Sequence, residues 1–168
     1  IDLLPFKKLC GVLDLIYNPL STRLILQAKH LNIACAGGIH MLVFQAKRAQ
    51  EIFFDKTIPE EKLSSVCEKI IRDCKNIVLI GMPGCGKSTI GKALAEMLGM
   101  NFVDSDEEIV KKAGCTIPQI FFYLVEAGFR ELESEVIKEL SSLQHTVIAT
   151  GGGAILKERN VDLLRENG

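Results

Sequence analysis

The sequence predicts an α/β fold built around a parallel sheet. Short, mostly apolar segments that fit β-strands alternate with segments in which apolar residues recur at helical spacing. Strands separated by helices need crossover connections, which make neighbouring strands parallel. A glycine-rich stretch between the first of these strands and the next helix supports the same fold. We expect strands at 76–80, 101–103 and 146–150, and helices at 88–98, 105–113, from about 117, and at roughly 126–143.

The first part of the chain has a different pattern. An apolar run at 12–16 fits a strand, and Asn18-Pro19 closes it because proline has no amide hydrogen to continue a ladder. Helices are expected from Ser21 or Thr22 to about His30, after Gly37-Gly38, and at about 59–73. We therefore predict three parts: residues 1–58, a linker helix at 59–75, and an α/β domain at 76–168.

Composition limits the possible partners. The chain has 168 residues, of which 48% are hydrophobic and 24% charged, and its net charge is −1. This length suits one domain of roughly 150 residues and is too short for two full-size enzymes. With so little net charge, no overall field would draw the chain to nucleic acid or to an anionic membrane. The chain also lacks an apolar run of roughly 18 residues and a signal-peptide pattern, so we expect a cytoplasmic protein that binds small molecules in a site.

A phosphate-binding loop is predicted at 81–88, where Gly-Met-Pro-Gly-Cys-Gly-Lys-Ser fits the pattern G-x-x-x-x-G-K-[ST] without a mismatch. Glycines in such a loop let backbone amides surround phosphate oxygens, and the following helix adds positive potential. Lys87 would reach the outer phosphates, and Ser88 would bind Mg²⁺. Because Pro83 has no amide hydrogen, we expect the cradle to consist of Gly84, Cys85, Gly86, Lys87, Ser88 and Thr89. The alternative is a glycine turn that only caps a helix.

The strand at 146–150 argues against a motor or a switch protein. It ends in Gly151, Gly152 and Gly153 instead of the acidic residue typical of a Walker B strand, and no Asn-Lys-x-Asp sequence occurs. Open α/β sheets bind ligands at the carboxyl ends of their strands, where glycines let the backbone approach a substrate. The glycines therefore indicate a substrate-binding turn, with a merely flexible turn as the alternative.

Carboxylates follow the strand at 101–103. Asp104-Ser105-Asp106 lies at the same predicted edge of the sheet. One carboxylate could organise Mg²⁺ and its waters while the other accepts a hydroxyl proton, as phosphoryl transfer to an alcohol requires. Capping of the next helix is the alternative for each aspartate.

Arg130 lies between two carboxylates on one helical face, with Glu126 four residues before it and Glu133 three residues after it. An arginine positioned in this way can bind a substrate carboxylate through two parallel hydrogen bonds. A group of surface ion pairs, each worth under about 1 kcal/mol, is the alternative.

These segments together resemble shikimate kinase, over about residues 76–168. The likeness rests on Ile80 to Ser88, Asp104-Ser105-Asp106, Phe129-Arg130-x-x-Glu133 and the glycine triplet. The resemblance implies a P-loop kinase fold, C-terminally incomplete, and transfer of the ATP γ-phosphate to the 3-hydroxyl of shikimate. It implies that Asp106 binds that hydroxyl and acts as the base. It also implies that the ring and its carboxylate are held by Arg130 and by Gly151, Gly152 and Gly153, and that Mg²⁺ is bound by Asp104 and Ser88. Lys87 and Arg130 would be catalytic together with Asp106. The family usually has glycine where Val125 stands.

Residues 1–55 resemble the carboxyl end of shikimate dehydrogenase. The likeness rests on Asp14-Leu-Ile-Tyr17-Asn18-Pro19-Leu-x-Thr22 and on Gly38-x-x-Met41-Leu42-Val43-x-Gln45-Ala46, with His40 in place of the family's usual glycine. The family's catalytic lysine and aspartate and its NADP loop would lie upstream of Ile1. NADP is therefore expected only in the dehydrogenase part of a parent protein.

The two likenesses lead to one hypothesis, a fragment of a bifunctional dehydrogenase and kinase of aromatic amino acid biosynthesis. The resemblance implies that the lid of the kinase and further arginines lie beyond residue 168, and lid closure completes such sites. We therefore expect the fragment to bind nucleotide and to turn over slowly. A regulatory P-loop ATPase or switch and a non-catalytic nucleotide-binding fragment remain as alternatives.

Overall fold

A computed structural model describes all residues from Ile1 to Gly168. The chain forms two compact units, Ile1–Cys74 and Lys75–Gly168. None of its helices is both long and apolar enough to cross a membrane.

The first unit contains a short parallel sheet and three helices. Strands β1 and β2 pair in parallel and are joined by helix α1, whose N-cap residue Thr22 accepts a hydrogen bond from the amide of Ile25. Leu3, Val12, Ile25 and Ala28 form a small buried cluster around this β-α-β element. The elements are β1 (Gly11–Leu13), α1 (Arg23–His30), β2 (Ala34–Ala36), α2 (Ile39–Phe54) and α3 (Glu60–Cys74).

Three details of this unit differ from the sequence prediction. The strand expected at 12–16 ends at Leu13, and the strand β2 was not predicted at all. The helix expected to be a linker at 59–75 is α3, which packs on α2 through a second buried cluster. Its apolar stripe explains this position, because Leu63 and Cys67 lie on one face and are buried against Ile39 and Val43.

The second unit has the parallel α/β architecture that the sequence predicts. The central strand β5 lies between β3 and β4 and is parallel to both. All four residues of β5 are buried, as expected for a central strand covered on both faces. The elements are β3 (Ile77–Leu79), α4 (Lys87–Leu98), β4 (Asn101–Asp104), α5 (Ser105–Ala113), α6 (Ile117–Ser141), β5 (Thr146–Ala149), a 3-10 turn (Ala154–Leu156) and α7 (Glu158–Asn167).

The main core of this unit joins α5 and α6 to the sheet. Ile109, Ile120, Phe129, Val136, Leu140 and Ile148 form one buried cluster. A smaller cluster of Ile137, Ala154 and Leu164 packs α7 and the 3-10 turn against another face of α6. The helix α6 is therefore held on two faces, and it carries Glu126, Arg130 and Glu133 in the turns between these contacts.

The buried side chain of Asn76 fixes the amino ends of two strands. Its Nδ2 donates to the carbonyl of Leu143 at 2.6 Å, and its Oδ1 accepts from the amide of Thr146 at 3.0 Å. Asn76 is 3% exposed, so these bonds satisfy polar atoms that have little access to water. The register of β3 and β5 is thus set at the end of the sheet opposite to the predicted site.

Candidate active site

The loop after β3 adopts a conformation that depends on glycine. Gly81, Gly84 and Gly86 have φ angles of 153°, 75° and 89°, in the region that side chains strongly disfavour. The first helical hydrogen bond of α4 runs from the amide of Ile90 to the carbonyl of Gly86. The amides of Lys87, Ser88 and Thr89 therefore have no partner within the helix and, with the positive end of the helix dipole, suit an anion.

The ammonium of Lys87 lies over its own loop. Its Nζ donates to the carbonyls of Gly81 and Met82 at 2.9 and 2.7 Å, and it lies 3.6 Å from Sγ of the exposed Cys85. These acceptors are neutral, so phosphate oxygens would compete well for the same donor.

Ser88 and Asp104, the two predicted Mg²⁺ ligands, are in contact. The hydroxyl of Ser88 donates to Oδ2 of Asp104, and Oδ1 of Asp104 accepts from the amide of Asp106. Asp104 is thus the N-cap of α5, as one alternative proposed, while its other oxygen faces the phosphate loop. A hydroxyl and a carboxylate oxygen are hard donors, and Mg²⁺ usually takes few protein ligands, the remainder being water and phosphate. The pair fits this metal.

Asp106 does not cap its helix, and its carboxyl lies half-buried in the first turn of α5. Burial raises the pKa of Asp106 above its usual range, and the neighbouring carboxylates Asp104 and Glu133 raise it further. Lys87 and Arg130 act in the opposite direction. Charged groups of the phosphate loop and of α6 therefore both influence the pKa of the Asp106 carboxyl.

The glycine turn at 151–153 touches each of the other segments. A Cβ on Gly151 would lie 2.5 Å from Oδ1 of Asp106, and one on Gly152 would lie 2.5 Å from Cδ of Pro83 in the phosphate loop. A Cβ on Gly153 would overlap the guanidinium of Arg130. Side chains are thus excluded by close approach, so the turn is more than a flexible connection.

Arg130 is held by both of its predicted carboxylates. Its Nη1 donates to Glu133 at 2.9 Å and its Nη2 to Glu126 at 3.5 Å. The Glu133 side chain is only 1% exposed, whereas that of Glu126 is 70% exposed. The pair with Glu133 is therefore no surface ion pair, because a buried carboxylate needs such a partner.

Two contributors to this site were not predicted as site residues. Ser105 is fully buried, and its Oγ accepts a 2.8 Å hydrogen bond from the amide of Gly151, which fixes the glycine turn to α5. Glu133 had been considered only as a neighbour of Arg130, yet its Oε1 would also lie 3.4 Å from a Cβ on Gly151. For Ser105, a small polar residue between two aspartates at a strand end was the available signal.

Val125 separates the two halves of α6. Its φ of 57° and ψ of 179° are non-helical and lie close to a region that is populated almost only by glycine. The sequence predicted two helices here, and the break occurs at the position where the kinase family usually has glycine. The valine thus keeps a glycine-like backbone immediately before Glu126.

Comparison with known proteins finds a match over most of the second unit. A family model described as shikimate kinase matches residues 83–168, which is half of the chain. The chain belongs to the shikimate kinase family. Shikimate kinase from Caldicellulosiruptor bescii is 52% identical over 94 residues, covering 56% of this chain and 55% of that protein. Shikimate kinase from Methylococcus capsulatus is 50% identical over 98 residues, covering 58% and 55%.

Solved structures of shikimate kinases share the fold of the second unit. The enzyme from Acinetobacter baumannii in complex with shikimate aligns with a TM-score of 0.56 at 48% identity and covers 60% of this chain and 56% of that one. The enzyme from Aquifex aeolicus aligns with a TM-score of 0.53 at 45% identity and covers 55% of each chain. The chain thus spans about half the length of the shikimate kinases it matches.

We predict that Val125→Gly stabilises the second unit. Relief of the strained backbone, worth about 1–3 kcal/mol, should exceed the entropy cost of glycine, about 0.5–1 kcal/mol. Val125 is 68% exposed, so little packing is lost. Urea unfolding followed by circular dichroism measures the change, and Leu124→Gly, in the adjacent helical residue, is the control that should destabilise. An unchanged or lower midpoint for Val125→Gly would contradict the strain.

We predict that Asp106→Asn raises stability at neutral pH. Because folding raises the pKa of Asp106, the folded state binds a proton more tightly than the unfolded state. Stability therefore falls as pH rises from the unfolded value of about 3.9 through the folded one. Asparagine removes this loss, so the variant should exceed the wild type at pH 7, and the difference should shrink toward pH 4.

Urea midpoints at a series of pH values measure this effect. Glu107→Gln is the matched control, because Glu107 is an exposed carboxylate on the same helix. A difference between Asp106→Asn and the wild type that stays constant with pH would mean that Asp106 titrates normally.

Proposed function

We propose that the second unit transfers the γ-phosphoryl group of ATP to the 3-hydroxyl of shikimate. The observation that carries this proposal is the contact of the glycine turn with Asp106, Pro83 and Arg130. Groups suited to a hydroxylated carboxylic acid therefore adjoin a loop suited to phosphates. The related enzyme from Acinetobacter baumannii, described in complex with shikimate, supports the choice of acceptor.

On the donor side, the residues from Gly84 to Thr89 would hold the phosphates through backbone amides. Lys87 would exchange its bonds to Gly81 and Met82 for bonds to the outer phosphate oxygens. Ser88 and Asp104 would hold Mg²⁺, which neutralises charge on the phosphates when bound.

On the acceptor side, Asp106 would accept the proton of the attacking hydroxyl. A raised pKa suits this role, because a general base works best when its pKa lies nearer to the operating pH. Arg130 would bind the carboxylate of shikimate while Glu133 keeps its guanidinium over Gly153. Gly151, Gly152 and Gly153 would let the ring approach the backbone.

The two alternative functions differ from this one in a measurable way. A regulatory ATPase or switch would hydrolyse ATP without shikimate, and a nucleotide-binding fragment would bind ATP without forming product. Neither alternative needs the buried pairing of Arg130 with Glu133 beside Asp106.

We also propose that the chain belongs to a longer protein with a shikimate dehydrogenase part. The resemblance of residues 1–55 supports this, as does the β1-α1-β2 element with its parallel strands. Two residues of the resembling motif interact directly, since the hydroxyl of Thr22 donates to Oδ2 of Asp14. NADP would bind only to the dehydrogenase part of such a protein.

A coupled assay of ADP release, run on the parent protein with and without shikimate, tests the kinase function. Release should depend on shikimate, and Lys87→Ala should abolish it through loss of phosphate contacts. Asp106→Asn should keep ATP binding and lower turnover about a hundredfold or more, the scale expected for a general base. Lys138→Ala and Glu107→Gln are controls for the change of charge at exposed positions.

Equal ADP release in both conditions would reject the kinase in favour of a hydrolase. Full turnover by Asp106→Asn would reject that residue as the base. ATP binding without phosphorylated product would reject the kinase in favour of a non-catalytic nucleotide-binding protein.

An antibody against the second unit tests the fusion. It should detect a polypeptide substantially larger than 168 residues, and shikimate-dependent NADP reduction should co-elute with it on size exclusion. Detection of only a kinase-sized protein without dehydrogenase activity would contradict the fusion.

A further inference from the structure

We propose that Lys157 is a positioning residue of the acceptor site, holding the turn of α6 that carries Arg130 against the glycine turn. This deepens the proposed function and rests on it. Lys157 lies outside every motif discussed above, and its sequence surroundings give no signal of such a role.

The ammonium of Lys157 is bonded to the backbone at Arg130. Its Nζ donates to the carbonyl of Arg130 at 2.9 Å and to Oγ of Ser134 at 3.2 Å. The Ser134 hydroxyl donates to the same carbonyl at 2.8 Å. One backbone oxygen thus accepts two side-chain hydrogen bonds, one of them from a residue 27 positions away.

The backbone of Lys157 is itself fixed to the glycine turn. The amides of Ala154 and Leu156 donate to the carbonyls of Gly151 and Gly153 at 3.2 and 3.0 Å, which forms the short 3-10 turn that ends at Lys157. The Lys157 carbonyl then accepts from the amide of Asn160 at the start of α7. Ala154 and Asn160 are fully buried, so this connection is well packed.

These contacts close a ring of interactions. The guanidinium of Arg130 packs on Gly153, the 3-10 turn leads from Gly153 to Lys157, and the ammonium of Lys157 returns to the backbone of Arg130. The position of the guanidinium relative to the glycine turn is therefore restricted twice, by its packing on Gly153 and by the hydrogen bond from Lys157 to the backbone of Arg130. In the proposed function, both contact the same substrate.

The ammonium of Lys157 donates to a neutral carbonyl. The nearby carboxylates of Glu126 and Glu133 form their ion pairs with the guanidinium of Arg130. Lys157 therefore acts on the substrate through the position of Arg130. Loss of the ammonium should weaken shikimate binding and leave nucleotide binding unchanged, because its hydrogen bonds go to Arg130 and Ser134 of α6 and not to the phosphate loop.

Calorimetric titration of the parent protein with shikimate and, separately, with ADP and Mg²⁺ tests the proposal. Lys157→Met keeps the apolar stem of the side chain and removes the donor. We expect the shikimate Kd to rise roughly tenfold, the scale for partners that orient a binding group, and the ADP Kd to stay within about twofold. Lys157→Arg, which keeps donors, should restore most of the affinity.

Lys138→Met is the matched control, since Lys138 is an exposed residue of α6 and its replacement makes the same change of charge. Unchanged shikimate affinity in Lys157→Met would overturn the proposal, and so would equal losses for shikimate and ADP, which would indicate general destabilisation. Failure of the unaltered parent protein to bind shikimate would instead overturn the proposed function, and the role of Lys157 with it.

Discussion

The parallel pairing of β5 with both neighbours is the constraint on which the site depends. Leu79 of β3 and Asp104 of β4 both lie level with Ala149 of β5, so all three strands end at the same height. The phosphate loop, the aspartates and the glycine turn therefore start at one edge of the sheet. Asn76 supports this register from the other end through its bonds to Leu143 and Thr146.

Charge is concentrated at this edge at some cost to stability. Two carboxylates, Asp106 and Glu133, lie close enough for one to raise the pKa of the other, and Glu133 is almost completely buried. Arg130 and Lys87 offset part of this repulsion. Val125 adds backbone strain within α6, the helix that carries Arg130 and Glu133. Charge repulsion and backbone strain of this kind are typical of functional sites, where the residues suit the function at the expense of stability.

Local patterns predicted the second unit better than the first. The helix expected at 105–113 was found with those bounds, because Asp104 is a strong cap and Gly114 ends the helix in a left-handed conformation. In contrast, β2 has three residues, too few for a periodic pattern, and it exists because it pairs with β1. The role of the helix at 59–75 was also decided by packing, since an amphipathic stripe does not reveal which surface covers it.

The sequence by itself determined the local chemistry: a glycine-dependent loop followed by a helix, a capped helix bearing two aspartates, and an arginine between two glutamates at helical spacing. These follow from backbone conformation and from contacts within a few residues. Only the tertiary structure decided that Ser105 binds Gly151, that Glu133 lies near enough to raise the pKa of Asp106 and that Lys157 binds the carbonyl of Arg130. Those interactions join residues 27 to 46 positions apart, and their geometry arises from strand register and helix packing, which no local pattern encodes.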